Sequence, residues 1–304
     1  MVGVGYLLPM NQRDKSTIVE VDGKSLRLTP LSKVMFPEDG FTQAELLLYY
    51  QTVAPLLLPH LRGRPLTLKA FPNGIKERPY YRRRLASTAP RWLSRVELED
   101  GAAPAVEDTA DLLWVVNQDS VEIHPWLSRK ENLNYPDLLV FDLDPGSRLP
   151  FQRLCEAATV VKEALDALGV NSWVKTSGAS GLHLLVGIEP EYEFEEVHTW
   201  AIAIDRVLVE RRPDLFSMDY TRSRRTEKVL LDHNQVGYGR TTASIYSVRP
   251  LPGAPVSAPV TWEEVNSGNL SINQFTIQTM PERVGRMGDV ASGLITQSQH
   301  LPHL

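Results

Sequence analysis

The chain has a single cysteine, Cys155, among its 304 residues. One cysteine excludes an intramolecular disulfide, and a buried, small apolar side chain is its simplest role. No apolar stretch approaches the roughly 20 residues that are needed to span a bilayer. The first residues, MVGVGYLLPMNQRDK, carry their charges after the short apolar piece, which makes a poor secretion signal. We therefore expect a cytoplasmic protein without membrane contact, and a flexible extension over residues 1–20.

Two common phosphate-binding signatures are missing as well, because the chain contains neither a complete Walker G-x-x-x-x-G-K-[ST] sequence nor a G-x-G-x-x-G sequence. The formal net charge is −5, which excludes a protein coated in positive charge. Nucleic-acid binding depends more on local clusters than on the sum. Basic clusters occur at Tyr80-Tyr81-Arg82-Arg83-Arg84 and at Thr221–Arg225 with Lys228. Such a run is usually a solvated face, but the first combines aromatic rings and arginines, which together stack bases and bind phosphates.

Three aspartates carry the clearest chemical signal in the sequence. LLVFDLDPG reads as a strand that ends in a Pro-Gly turn, with Asp142 and Asp144 two residues apart. Side chains alternate along a strand, so both carboxylates project from one face. Such a pair usually holds a hard cation or shares a proton, although many Asp-x-Asp pairs only cap a turn. Asp232, at the end of KVLLD, would complete a two-cation site for phosphoryl or nucleotidyl transfer.

A glycine-rich segment, Ser177-Gly-Ala-Ser-Gly-Leu-His183, lies between these aspartates. Glycines at this spacing let successive backbone N–H groups point at one anion, and the small hydroxyls and the imidazole add further donors. A plain hairpin with a satisfied sheet histidine explains the segment equally well on its own. Carboxylates before and after it favour a metal-dependent enzyme that acts on a phosphorylated or nucleotide substrate.

The pattern of elements predicts two packed modules of mixed α+β class. Residues 17–29 predict a hairpin at Asp22-Gly23, a capping box at Thr42 opens a helix that Pro55 bends or ends, and the first half of 111–124 favours a helix. From residue 138 the order is β-α-β-β-α-β, the split ferredoxin-like (RRM-like) unit. ASIYSV predicts a further strand, and Thr261 opens a short helix before a frayed polar tail. The predicted boundaries are 21–136 for the first module, 137–250 for the second, and 251–304 for a Pro-rich connector and tail.

FDLDPG, TSGASGLH and KVLLDHNQ…TTASIYSVRP closely resemble the three motifs of the polymerase domain of bacterial ligase D, in the archaeo-eukaryotic primase superfamily. The resemblance also covers LSKVMFPEDGFTQAELLLYY, RPLTLKAFPNG, YYRRRLASTAPRWLSR and VEIHPW, so it extends over roughly residues 25–270. It implies a primase-polymerase fold and a template-dependent nucleotidyltransferase of non-homologous end joining. It also implies a preference for ribonucleotides, two Mn²⁺ or Mg²⁺ ions, and DNA, NTP or dNTP, Ku and a separate ATP-dependent DNA ligase as partners. The location would then be the nucleoid.

The resemblance assigns roles to matching positions. Asp142, Asp144 and Asp232 would be the catalytic metal ligands. The nucleotide would be bound by Lys69, His124, Ser177, His183, Gln235 and Arg249, with His124 near the ribose 2′-hydroxyl. DNA would be bound by Lys33, Tyr81, Arg82, Arg83, Arg84 and Arg225, with Lys33 at the downstream 5′-phosphate and Tyr81 on the template.

The chain departs from the family pattern at two positions. Ser180 stands where members often carry a basic residue in the phosphate loop, and Gln43 stands where a second lysine of the 5′-phosphate pocket occurs. The second departure predicts weaker recognition of a 5′-phosphate. Alternatives to end joining are a stand-alone gap-filling or priming polymerase, a nucleotide-sugar transferase that uses the Asp-x-Asp pair, and a binding module without catalysis.

Overall fold

A computed structural model describes residues 17–304 of the chain. Most of the predicted extension over residues 1–20 lies outside the described residues, and residues 17–20 belong to the first strand instead. The predicted hairpin is confirmed, with Asp22 (φ 50°) and Gly23 (φ 72°) at its turn. Its strands are β1 (Thr17–Val21) and β2 (Lys24–Leu28).

The first module is built around α1 and a three-stranded sheet in the order β6-β5-β9. Thr42 and Glu45 form the predicted capping box at the start of α1. The sequence predicts that Pro55 bends or ends this helix. Pro55 does not end it, because α1 continues through Pro55 and Pro59 with its apolar side buried. The elements are β3 (Val34–Phe36), β4 (Phe41–Thr42), α1 (Gln43–Leu61), β5 (Leu66–Ala70), β6 (Tyr80–Arg82), β7 (Arg95–Val96), β8 (Ala103–Pro104), α2 (Thr109–Asn117) and β9 (Ser120–Pro125).

The second module contains the predicted split unit, and its sheet has the order β13-β14-β10-β12-β11-β15, in which β15 is Pro259–Val260 of the C-terminal region. β10 lies antiparallel between β12 and β14. Helices α3 and α4 pack on one side, where Phe141 meets Trp200 edge to face. Because side chains alternate, Asp142 projects to the opposite side. The elements are β10 (Leu138–Pro145), α3 (Phe151–Ala167), β11 (Trp173–Thr176), β12 (Leu182–Gly187), α4 (Phe194–Arg211), β13 (Phe216–Ser217) and β14 (Val229–Asp232).

The segment after β14 differs from the prediction. ASIYSV does not form a strand, because Tyr246 adopts a left-handed conformation (φ 62°) that interrupts extended backbone. The segment instead connects the two sheets: Ser244 N donates to Ile123 O, and Thr176 N donates to Ala258 O. The Pro-rich residues 254–260 are buried rather than exposed.

The C-terminal region is also not a frayed tail. It forms β15 (Pro259–Val260), α5 (Trp262–Asn266), α6 (Met280–Met287) and α7 (Gly293–Thr296). Asp289 binds the His60 imidazole (2.8 Å) and accepts a hydrogen bond from the Tyr246 hydroxyl (2.8 Å). The Trp200 indole donates to Pro302 O. These contacts fix the region against both modules.

One buried hydrophobic cluster runs through both predicted modules, from Leu26 to Leu301. Within residues 17–304, no helix is both long and apolar enough to cross a membrane. The arrangement leaves the side of the second sheet that carries Asp142 facing the first module.

Candidate active site

The three aspartates converge as the sequence predicts. In the sheet register, Asp142 stands directly opposite Asp232 on β14 and His183 on β12. One carboxylate oxygen from each of Asp142, Asp144 and Asp232 lies within 4.8 Å of the others. Gly146 follows them because a Cβ there would lie 2.0 Å from Arg225 O, so only glycine lets the neighbouring segment approach this strand end.

These carboxylates are poorly compensated by the protein alone. Burial, with the charges of Asp144 and Asp232, raises the pKa of Asp142 to about 8. Burial and Asp232 also raise the pKa of Asp144, against the opposing charge of Arg225. Hard divalent cations bind clustered carboxylate oxygens of this kind, and a cation here would relieve the repulsion. The donor set therefore fits Mg²⁺ or Mn²⁺.

The glycine-rich loop lies between β11 and β12, and its hydrogen bonds differ from the expected anion cradle. The N–H groups of Ala179 (3.2 Å) and Gly181 (2.9 Å) donate to Ser177 Oγ, within the loop itself. The Ser177 O–H proton remains available to a ligand, because its oxygen is acting as the acceptor. Gly178 has φ +69°, and a Cβ there would lie 2.6 Å from Arg249 Cγ. Glycine at that position therefore allows Arg249 to pack against the loop.

His183 is buried beside the carboxylates. Its Nε2 lies 3.4 Å from Asp142 Oδ1, and its Nδ1 lies 3.2 Å from Thr242 Oγ1. Burial, together with the nearby charges of Lys175 and Arg249, lowers the pKa of His183 well below its usual range. The imidazole is therefore neutral and bridges a metal-ligand candidate to Thr242.

A residue that sequence reasoning missed, Glu122, gathers three of the predicted nucleotide-binding side chains. Its Oε2 lies 2.8 Å from Lys69 Nζ and 3.5 Å from His124 Nε2, and its Oε1 lies 2.5 Å from Arg249 Nε. Arg249 also donates to Ser177 O (2.7 Å), which links this group to the glycine-rich loop. Burial would raise the pKa of Glu122, but His124, Arg249 and Lys69 together lower it to about 2. The alternation in VEIHP, which puts residues 122 and 124 on one face, was the available signal.

Two further side chains contact Asp232. The Gln235 amide, from the predicted nucleotide-binding set, donates to its Oδ2 (3.1 Å), and the Tyr220 hydroxyl donates to its Oδ1 (2.9 Å). Tyr220 was not predicted. Arg225, predicted to bind DNA, is only 6% exposed, and its guanidinium lies 3.4 Å from Asp144 O. Its position makes it a counter-charge to the carboxylates instead of a surface contact.

The first basic cluster lies on β6, at the edge of the three-stranded sheet. Tyr81 stands opposite Lys69 in the register, and Lys69 Nζ lies 5.9 Å from the centre of its ring. Tyr81 and Arg83 are exposed, whereas Arg82 and Arg84 are partly buried and Arg84 forms an ion pair with Asp100. The cluster therefore presents an aromatic ring and an exposed guanidinium next to Glu122, Lys69, His124 and Arg249, the Glu122 group.

The two residues considered for the 5′-phosphate pocket, Lys33 and Gln43, already have partners within the protein. Lys33 Nζ is paired with Asp119 Oδ1 at 2.5 Å. Gln43 is fully buried, and its amide donates to Val116 O (2.9 Å). The Gln43 side chain is therefore held inside the first module.

A cavity of about 510 Å³ lies away from the carboxylates. It lies between the end of α1, β12 and α7, and meets the site only at Lys175 and Thr242. We place the chemistry at the carboxylates, since charged groups converge there.

The sequence profile of the LigD primase-polymerase domain matches residues 42–291. The chain belongs to this domain family. It is therefore a nucleotidyltransferase of the primase-polymerase class, and the nucleotide-sugar transferase and non-catalytic alternatives lose their support.

Curated LigD proteins are similar to the chain over most of its length. The multifunctional non-homologous end joining protein LigD of Mycolicibacterium smegmatis is 33% identical over 275 residues, covering 88% of this chain and 36% of that protein. The bifunctional LigD of Bacillus subtilis is 32% identical over 267 residues, covering 86% of this chain and 43% of that protein. The chain thus spans well under half of the length of these relatives.

A solved structure agrees with the fold. The polymerase domain of Mycobacterium tuberculosis ligase D, in complex with DNA, matches with a TM-score of 0.84 and 31% identity, covering 90% of this chain and 99% of that one. The predicted α+β primase-polymerase fold is confirmed.

Proposed function

We propose that the chain is a template-dependent polymerase that adds nucleotides, preferably ribonucleotides, to DNA ends or gaps during double-strand break repair by end joining. The observation that carries this proposal is the convergence of Asp142, Asp144 and Asp232 within 4.8 Å, beside the glycine-rich loop. Carboxylates on adjacent strands are the arrangement that a two-metal nucleotidyl transfer needs.

In this proposal Asp142, Asp144 and Asp232 hold the two ions. The ions, Mn²⁺ or Mg²⁺, would lower the pKa of the primer 3′-hydroxyl and neutralise the triphosphate. Gln235 and Tyr220 orient the Asp232 carboxylate through their hydrogen bonds.

The triphosphate would lie along the Ser177 hydroxyl, His183, Lys69 and Arg249. Arg249 is positioned for this by its bond to Ser177 O and by Glu122. His124, on the same strand as Glu122, would contact the ribose, because the family places its sugar-sensing group at this position.

DNA is the proposed polymer because the polymerase domain of ligase D binds it in the matched structure. Tyr81 would stack on a template base while Arg82, Arg83 and Arg84 neutralise phosphates. End joining comes from the names of the relatives, of which the chain spans 36% and 43%. Ku and a separate ATP-dependent ligase as partners at the nucleoid are proposed from the resemblance of the sequence motifs alone.

A labelled primer on a gapped duplex, supplied with each rNTP or dNTP and Mn²⁺ or Mg²⁺, tests the proposal. Asp144→Ala should abolish extension, whereas Asp166→Ala, an exposed position paired only with Lys162, should leave it intact. Extension by Asp144→Ala at near the wild-type rate, or no extension by the wild type on any primer, would contradict the assignment.

Gap filling or priming outside end joining is the second candidate. The pairing of Lys33 with Asp119 and the burial of Gln43 favour it, because both weaken the 5′-phosphate contact that joining of ends uses. Duplexes with and without a downstream 5′-phosphate separate the two: equal affinities support general gap filling.

A further inference from the structure

Glu122 is an acidic residue without access to a substrate. Its exposed fraction is 0%, so it cannot touch a nucleotide or a metal from solvent. A buried carboxylate is costly unless charged partners compensate it. Lys69 and Arg249 carry the charges that compensate it, and His124 also lies against it. Its function must therefore act through these three side chains.

The orientation of the His124 ring decides which of its two nitrogens can meet a ligand. Among the described residues, His124 Nε2 is buried and has no hydrogen-bond partner, and Glu122 Oε2 at 3.5 Å is the acidic group that faces it through an electrostatic contact. A carboxylate beside one ring nitrogen of a neutral imidazole favours the proton on that nitrogen. Nδ1 then carries the lone pair and is a hydrogen-bond acceptor. The His124 side chain is 18% exposed, so part of the ring remains accessible to a ligand.

We propose that Glu122 is the positioning residue for sugar selection: it holds the Nε2–H tautomer of His124, so that Nδ1 accepts a hydrogen bond from the ribose 2′-hydroxyl. This inference rests on the proposed function of His124. A deoxyribonucleotide offers no donor to Nδ1, so the acceptor stays unpaired and binding weakens.

The same carboxylate couples the sugar to the triphosphate. Oε1 holds Arg249, which contacts the loop through Ser177 O, and Oε2 holds Lys69 and His124. A change at Glu122 therefore alters nucleotide affinity in general through Lys69 and Arg249, and alters sugar selection through His124 alone. These two effects can be separated by experiment.

The tautomer can be measured without catalysis. Two-bond ¹⁵N–¹H spectra of the imidazoles resolve Nδ1–H from Nε2–H, and the chain has seven histidines, so His124→Ala assigns the signal. We expect Nε2–H in the ligand-free wild type and a mixture of tautomers in Glu122→Gln. The Nδ1–H tautomer in the wild type, or an unchanged signal in Glu122→Gln, would overturn the proposal.

The kinetic arm measures the ratio of kcat/KM for rNTP and dNTP. Glu122→Gln should lower this ratio by about tenfold, the effect of one hydrogen bond at a buried site. It should have no further effect on the ratio in a His124→Ala background, and Glu122→Asp should restore part of it. Glu97→Gln, an exposed position, is the matched control.

If Glu122→Gln lowers the ratio of kcat/KM for rNTP and dNTP equally in the His124→Ala background, the effect belongs to Lys69 or Arg249. That result would overturn the proposal. A wild type that extends no primer would refute the proposed function instead. The tautomer measurement would then still decide whether Glu122 orients His124.

Discussion

Replacing Asp142 with asparagine should stabilise the metal-free protein while it abolishes nucleotide addition. One oxygen of each carboxylate lies within 4.8 Å of the others, and two unit charges at that distance repel each other by about 3.5 kcal/mol at an effective dielectric constant of about 20. Asp142 faces two such partners. Such repulsion, together with burial, favours the protonated form of Asp142, and asparagine keeps the shape of that neutral side chain without the cost of taking up a proton.

The pKa of Asp142 sets an upper limit on the gain. Burial and the two neighbouring carboxylates raise this pKa from 3.8 to about 8, so the group is mainly protonated at neutral pH. The cost of that protonation is about three pKa units, or about 4 kcal/mol. Part of it remains in the variant, because a buried amide also needs hydrogen-bond partners. We expect a net gain of about 1–3 kcal/mol, or an increase in Tm of about 2–8 °C.

Thermal unfolding monitored by circular dichroism, in EDTA and in excess Mn²⁺, provides the assay. Mn²⁺ should raise the Tm of the wild type and have a smaller effect on Asp142→Asn. The difference in Tm between the two proteins should therefore become smaller or change sign in Mn²⁺. Asp166→Asn, at an exposed helix position, should change neither value. The reasoning fails if Asp142→Asn is less stable than the wild type in EDTA, or if Mn²⁺ stabilises both proteins equally.

Three further predictions concern DNA and the Glu122 group. Tyr81→Ala should weaken template binding by about 1–3 kcal/mol with an unchanged salt slope, whereas Arg83→Ala should flatten the slope; anisotropy titrations that give the reverse contradict this. A downstream 5′-phosphate should improve gap affinity about tenfold or less, Lys33→Ala should erase the improvement and Asp119→Asn should enlarge it. Equal wild-type affinities for the two gaps would remove Lys33 from this role. Because the pKa of Glu122 lies at about 2 against an ordinary 4.5, its stabilisation is present above pH 4.5 and is lost as pH falls toward 2. The free energy of unfolding of Glu122→Gln should therefore fall less between pH 4.5 and pH 2 than that of the wild type. Identical pH curves for the two proteins would contradict this prediction.

The split unit was predictable because its elements are defined by local patterns. The strand that carries Asp142 is a short apolar run closed by Pro-Gly, and α3 has a regular apolar stripe that ends at Gly169, where φ is +73°. Period-two alternation placed Asp142 and Asp144 on one face, and the structure agrees. Signals of this kind need only neighbours in the sequence.

The features that were missed depend on distant partners. The role of Glu122 depends on its ion pair with Arg249, which is far away in the sequence. α6 is polar in composition, yet Arg283 is held by Glu264 and contacts Pro259 O. The turn at Tyr246 requires Tyr49, whose hydroxyl donates to its carbonyl. None of these pairs produces a periodic pattern within one segment of the sequence, so local patterns do not predict them.

The contacts of Asp289 have a practical consequence for anyone who shortens this chain. A fragment that stops at residue 250, where composition suggests a linker, would lack the carboxylate that binds His60 and Tyr246. Two buried polar groups would lose their partner in such a fragment, at a cost of about 1–3 kcal/mol each. The left-handed turn at Tyr246 lies three residues before Arg249 in the chain. The smallest unit that preserves the arginine of the nucleotide site therefore includes residues that lie forty positions beyond it.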